Sequence, residues 1–160
     1  MCQMIQTPTY EFYTTESGDH YNFKSVGKNG EIEKVARFDK LGRNIYNIAF
    51  GDWNNNKLHD RAVSNNGDKD KILATVGRII SDFTETLPEA LVFARGVDQV
   101  RTRLYQQEIN KHLDIIGPFF MIWGFLDGRW TPFKKGVNYH AFIGHRHAFF
   151  AGQWPPDVLQ

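Results

Sequence analysis

Arg101, Tyr105, Glu108 and His112 recur four, three and four residues apart, so a helix through them carries all four on one face. An arginine to hold a phosphate, with a tyrosine and a histidine to move a proton, is the equipment of metal-independent RNA cleavage, which makes Tyr105 and His112 the candidate catalytic pair. The same spacing also describes a solvated helix face with a Glu108–His112 pair, and the sequence leaves both readings open.

A second constellation lies where two helices should begin. Asn66 and Gly67 fall in Ser64-Asn65-Asn66-Gly67-Asp68, and Arg95 and Gly96 open Arg95-Gly96-Val97-Asp98, with Arg101 and Arg103 just behind. Helix starts present unpaired N–H groups, and glycine lets an oxyanion approach the backbone. Cations in a first turn oppose the helix dipole at a cost of about 0.3–1 kcal/mol each, which invites an anionic partner. Asn66, Gly67, Arg95, Gly96, Arg101 and Arg103 are therefore the candidate anion- or ligand-binding residues. Local pairing with Asp98 or Asp68, plus ordinary capping, explains the same residues without a ligand. Gly51, Gly67 and Gly96 stand alone, with no P-loop or dinucleotide fingerprint around them.

Other chemistries find less support. His145 and His147 share one side of a strand and His140 takes the other, but neither a cysteine pair nor an HExxH helix completes a zinc site. Metal and cofactor are both expected to be absent. Arg129, Lys134, Lys135, Arg146 and three histidines fall between Gly128 and Pro156 without an acidic residue, interleaved with Trp130, Phe133, Tyr139, Phe142, Phe149, Phe150 and Trp154. Basic and aromatic residues together can follow a phosphate backbone and stack bases. Aromatic side chains in strands also build cores and partner interfaces. Cys2 has no fixed base beside it, and no GxSxG elbow occurs.

The elements that must hold these residues follow from periodicity. His20–Val26 and Glu31–Phe38 alternate as strands about a Lys28-Asn29-Gly30 turn, and Asn44–Trp53, apolar on both faces, reads as an interior strand. Asn54 to Asp70 reads as a long loop. Between Lys71 and Leu87 apolar residues recur three and four apart, which predicts a helix closed by Pro88. Leu91–Arg95 follows as a short strand, then a helix over Asp98–His112 with Val100, Leu104 and Leu113 inward. Phe119–Phe125 is a buried strand, Leu126-Asp127-Gly128-Arg129 a turn, and Asn138–His147 the last strand. The order β-β-β-α-β-α-β-β predicts an α+β domain in which one mixed, mostly antiparallel sheet packs two helices on one face. If Leu91–Arg95 runs parallel to Asn44–Trp53, a right-handed crossover brings both helix starts to one sheet edge.

With 160 residues, one domain is the expectation over 1–160, and folding can bury about two thirds of the unfolded surface. A net charge of +1 argues against a whole-surface attraction to nucleic acid or membrane, and 41% hydrophobic residues exclude wholesale disorder. Met1 to Thr15 lacks the regions of a secretory signal and no apolar run is long enough to span a bilayer, so a cytoplasmic protein with a loose N-terminus over about 1–8 is expected. The tail at 149–160 carries Phe149, Phe150 and Trp154, expected to be buried on the domain or on a second subunit.

Tyr21-Asn22-Phe23-Lys24-Ser25-Val26-Gly27, Phe50-Gly51-Asp52-Trp53, Ser64-Asn65-Asn66-Gly67-Asp68 and Arg101-Thr102-Arg103-Leu104-Tyr105 together resemble an uncharacterised family of small bacterial proteins known only as a domain of unknown function. The likeness covers residues 20 to 147 and implies a bacterial or phage-related cytosolic protein, without an activity to transfer. The leading functional expectation is an RNA- or nucleotide-directed effector of a toxin–antitoxin-like pair, its partner a small protein encoded alongside. The alternative is a non-catalytic protein-interaction module that docks a partner or a second copy of itself.

Overall fold

The structure, a computed structural model, describes residues 8–59 and 66–147. Among them the chain forms β1 (Tyr13–Thr14), β2 (His20–Gly27), β3 (Gly30–Gly42), β4 (Ile45–Asn54), β5 (Lys57–His59), α1 (Lys69–Thr86), β6 (Leu91–Ala94), α2 (Gln99–Ile116), β7 (Phe120–Leu126), β8 (Arg129–Pro132) and β9 (Ala141–Arg146). The strands make one mostly antiparallel sheet in the order β1-β2-β3-β4-β6-β9-β7-β8, with β5 paired to β4. The fold is α+β, as the periodicities predict, and β4 is an interior strand that runs parallel to β6. No helix among the described residues is long and apolar enough to cross a membrane. The aromatic tail at 149–160 lies outside the described residues, as do nearly all of positions 1–8.

Among the described residues nine strands replace the expected six because tight turns create three short ones. Asn55 and Asn56 both take positive φ, 50° and 59°, a geometry whose twist suits a two-residue hairpin. It folds β5 onto β4 inside the stretch expected to be a loop. Asp127 and Gly128, at 53° and 73°, do the same between β7 and β8. The third is the two-residue β1, paired to Asn22 and Tyr21 of β2. β9 begins at Ala141 and not at Asn138, since the Tyr139 N–H donates to Gln106 and leaves the ladder.

By packing the chain divides into Met1–Asp39 with Ile48–Phe83, and Lys40–Asn47 with Thr84–Gln160. In the first unit β2 and β3 pair from His20↔Arg37 to Gly27↔Gly30, with Gly30 supplying the positive φ the turn needs. Residues directly opposed share a face, so Tyr21, Phe23 and Ser25 line up with Ala36, Lys34 and Ile32. Phe38 of β3 stacks flat on Phe83 of α1, ring centroids 3.8 Å apart. A polar knot closes the other end. The Tyr10 hydroxyl accepts the Val26 N–H and donates to Asp68, which also accepts from the fully buried Ser25. The Tyr10 N–H reaches Thr75 of α1.

Beside Phe23, Lys34 forms an ion pair with Asp52 of β4, the two side chains only 8% and 14% exposed. A buried pair adds little over apolar packing, whereas removing one partner strands a charge. Asp52→Ala should therefore lower unfolding free energy by about 3–5 kcal/mol. The double variant Lys34→Met/Asp52→Leu should recover most of it, as read from urea denaturation midpoints.

Candidate functional site

The sequence-predicted site residues are distributed between the two units. Asn66 and Gly67 belong to the first. Asn66 is 4% exposed, its amide donating to Ser25 and to the Gly30 carbonyl while its side-chain oxygen accepts the Asn29 N–H. It clamps the β2–β3 turn, and Gly67 follows it with a φ of 78°.

The remaining candidates belong to the second unit. Asp98 caps α2 by accepting the Arg101 N–H at 2.8 Å, and its other oxygen takes the Arg101 guanidinium at 2.7 Å. The carboxylate at this helix start is thus the chain's own. Gly96 donates its N–H to Thr102, and a side chain there would strike the backbone of Arg101 and Thr102, so close packing calls for glycine. Arg103 donates to the Tyr139 carbonyl and to Gln106. Tyr105 is half-buried on α2, and His112 is buried with its Nε2 2.9 Å from Glu108. That pair matches the expected spacing, but it is enclosed and not solvated. The inward face of α2 is polar, made of Thr102, Gln106 and His112, while Val100 is 70% exposed, contrary to the apolar stripe expected. Capping by Asp98 sets the helix phase, and the carbonyls of Val137 and Tyr139 need the donors Gln106 and Arg103 present.

Arg95 differs from these. It follows Ala94 at the end of β6, is exposed, and has no carboxylate partner among the described residues. The register shows what it stands beside. β6 pairs with β9 (Phe93↔Ile143), β9 with β7 (Ile143↔Trp123, Phe142↔Gly124), and β7 with β8 (Phe125↔Trp130). Tyr139 lies so close over Gly124 that a side chain there would collide with its ring, which places that ring with Phe142 on one face, and Arg103 and Gln106 of α2 bind the Tyr139 backbone beside it. On that face Arg146 also reaches Thr84 of α1 and lies 5.1 Å from the Phe120 ring.

The opposite face is aromatic. Its floor is Ile45, Leu91 and Ile143, all buried, and half-buried Phe93, Trp123 and Trp130 pack against them. Phe125 joins Trp130 at 5.1 Å between centroids, and Phe93 meets Trp130 edge-on at 6.2 Å. Arg95 lies one residue past the end of β6, in line with the alternation of Leu91 and Phe93. The sequence pointed to Arg95 and to Trp130, each within a different pattern. It missed Phe93, Trp123 and Phe125; the signal was there in the two-residue spacing of Trp123 and Phe125, but a strand reads alike whichever of its faces a helix covers.

His145 underlies this face. The Trp123 indole N–H, a donor only, points to its Nε2 at 3.0 Å, so Nε2 must accept, and Nδ1 carries the proton toward the Arg146 carbonyl at 3.1 Å. Both ring nitrogens of the expected basic strand end are engaged. Burial holds its pKa below the ordinary value of 6.5. His147 bonds the Gly117 carbonyl at 2.7 Å. No group of three or more His, Cys, Asp or Glu side chains gathers as a metal site among the described residues.

Because His145 is neutral in the fold and takes up a proton more readily when unfolded, stability is intact above pH 6.5 and falls as pH drops below it, by up to about 1.4 kcal/mol per pH unit until the folded pKa is reached. His145→Gln should flatten that part of the pH profile relative to wild type, as measured by urea melts between pH 7.5 and 5.

No curated protein and no solved structure matches this chain. A family model does, over residues 6–147, nearly the full extent of both units, and on that match the chain belongs to DUF6934, a family of unknown function.

Proposed function

We propose that the chain binds single-stranded RNA on the aromatic sheet face of the second unit, and that it binds without cleaving. One observation carries the reading: Phe93, Trp123, Phe125 and Trp130 gather half-buried on the face opposite the helix contacts, and the exposed cation Arg95, without a carboxylate partner among the described residues, follows β6 by one residue in line with Leu91 and Phe93. Unstacked bases lie on such rings whatever their sequence, each worth about 1–3 kcal/mol, while cations meet the phosphates. The charge balance supports an anionic ligand. Residues 40–47 and 84–160 contain ten Lys and Arg against seven Asp and Glu, the rest of the chain nine against eleven. Arg129, Lys134 and Lys135 are exposed and have no carboxylate partner among the described residues. Binding is favoured over cleavage because the expected proton movers do not meet solvent freely: His112 is enclosed with Glu108 and Tyr105 is half-buried.

Fluorescence anisotropy with a labelled mixed-sequence 12-nucleotide RNA tests this. Trp130→Ala should weaken binding about 5- to 150-fold, the loss of one stacked base. Arg95→Ala, at an exposed position that leaves the fold intact, should weaken it and reduce the slope of log K against log salt by about 0.7. A wild-type chain that binds no RNA at low salt, or one whose aromatic face is closed by a second copy in a stable dimer, overturns the reading. Slowed growth on overexpression, relieved by Trp130→Ala, would join this binding to the effector role in a toxin–antitoxin-like pair.

A further inference from the structure

On the proposed RNA-binding reading, we infer that Asn47 is the base-reading residue of the aromatic face and that it selects adenine. Asn47 is the direct partner of Phe93 in the parallel pairing of β4 with β6, two residues beyond the Ile45↔Leu91 pair. Ile45 belongs to the floor of the aromatic face, so alternation places Asn47 on that face as well, next to Phe93. It is half-buried, and its carboxamide has no hydrogen-bond partner among the described residues. His145 on the same face uses both ring nitrogens, one of them on the Trp123 indole N–H. Asn47 therefore brings a donor and an acceptor, side by side, to the rim of a stacking ring.

A base lying on Phe93 turns an edge toward Asn47. Adenine offers a neighbouring donor and acceptor on both of its free edges, N6–H beside N1 and N6–H beside N7. Guanine, cytosine and uracil offer such a pair on the Watson–Crick edge; guanine shows two acceptors on its N7 edge, and its second pair, N2–H beside N3, lies on the edge turned toward the ribose. A carboxamide whose direction is set by a strand thus meets adenine's complement in either orientation of the stacked base. The other bases present their complement on the Watson–Crick edge or, in guanine, toward the ribose, and none presents it on an N7 edge.

The test compares a 12-nucleotide adenosine RNA with the same strand made of purine riboside, which keeps the stacking surface and lacks the N6 amine. Wild type should prefer adenosine by at least about fivefold, the lower range for a bidentate contact. Asn47→Ala should bind both strands with equal affinity, and Asn47→Gln, which keeps both groups, should restore part of the preference. Unchanged melting temperatures show that the variants fold. Equal binding of the two strands by wild type, or a preference that survives Asn47→Ala, overturns the role of Asn47 while leaving RNA binding in place. Failure of wild type to bind either strand overturns the RNA-binding reading and this inference with it.

Discussion

Everything in the second unit depends on one register. Once Phe93 lies opposite Ile143, Ile143 opposite Trp123 and Phe125 opposite Trp130, each residue of β6, β9, β7 and β8 has its face assigned. A slip of one residue would exchange Trp123 for Ile122 and turn the aromatic side chains toward α2. What holds the register is a contact that tolerates no side chain, Tyr139 over Gly124. The Tyr139 ring is enclosed by Phe133 and Phe142, its hydroxyl accepts the Lys134 N–H, and its backbone is held by Gln106 and Arg103. The helix thus fixes the loop before β9, and the loop fixes the sheet.

The polar residues that first suggest chemistry mostly perform this kind of work. Asp98 shows why a helix start rich in arginine needs no bound anion. It accepts a free helix N–H and neutralises the Arg101 side chain at once, so the local dipole penalty is offset from within the chain. Asn66 serves the first unit similarly, tying a hairpin turn to the residues before α1. Buried donors and acceptors must be satisfied, and an amide that can do both is the economical way to join two loops.

How far the sequence could be read follows from which forces left a periodic trace. α1 was legible because Val76, Ile79 and Phe83 are apolar and buried at helical spacing, and β2 because Tyr21 and Phe23 alternate with exposed neighbours. α2 was legible as a helix but not in its orientation, since Thr102, Gln106 and His112 face inward and no apolar stripe marks them. β5 and β8 escaped because strands of three and four residues carry no period; the positive φ values at Asn55, Asn56, Asp127 and Gly128 define them. The aromatic face was hidden for another reason. Alternation separates two sides of a strand, but only the placement of the helices says which side they leave uncovered.

That face also limits what the proposed site can do. A group that moves protons near neutral pH must exchange them with a ligand, and the histidine on this side is held as a neutral tautomer by Trp123 at one nitrogen and the Arg146 carbonyl at the other. To gain a proton His145 must give up the Trp123 bond, and to act as a base it must turn away from the ring it supports. Its chemistry is spent on orienting an indole. On the proposed reading a ligand meets ring surface, the Asn47 carboxamide and the Arg95 guanidinium, the means to hold a base and its phosphate. On the proposed RNA-binding reading, selectivity and affinity are the properties that substitution on this face would change.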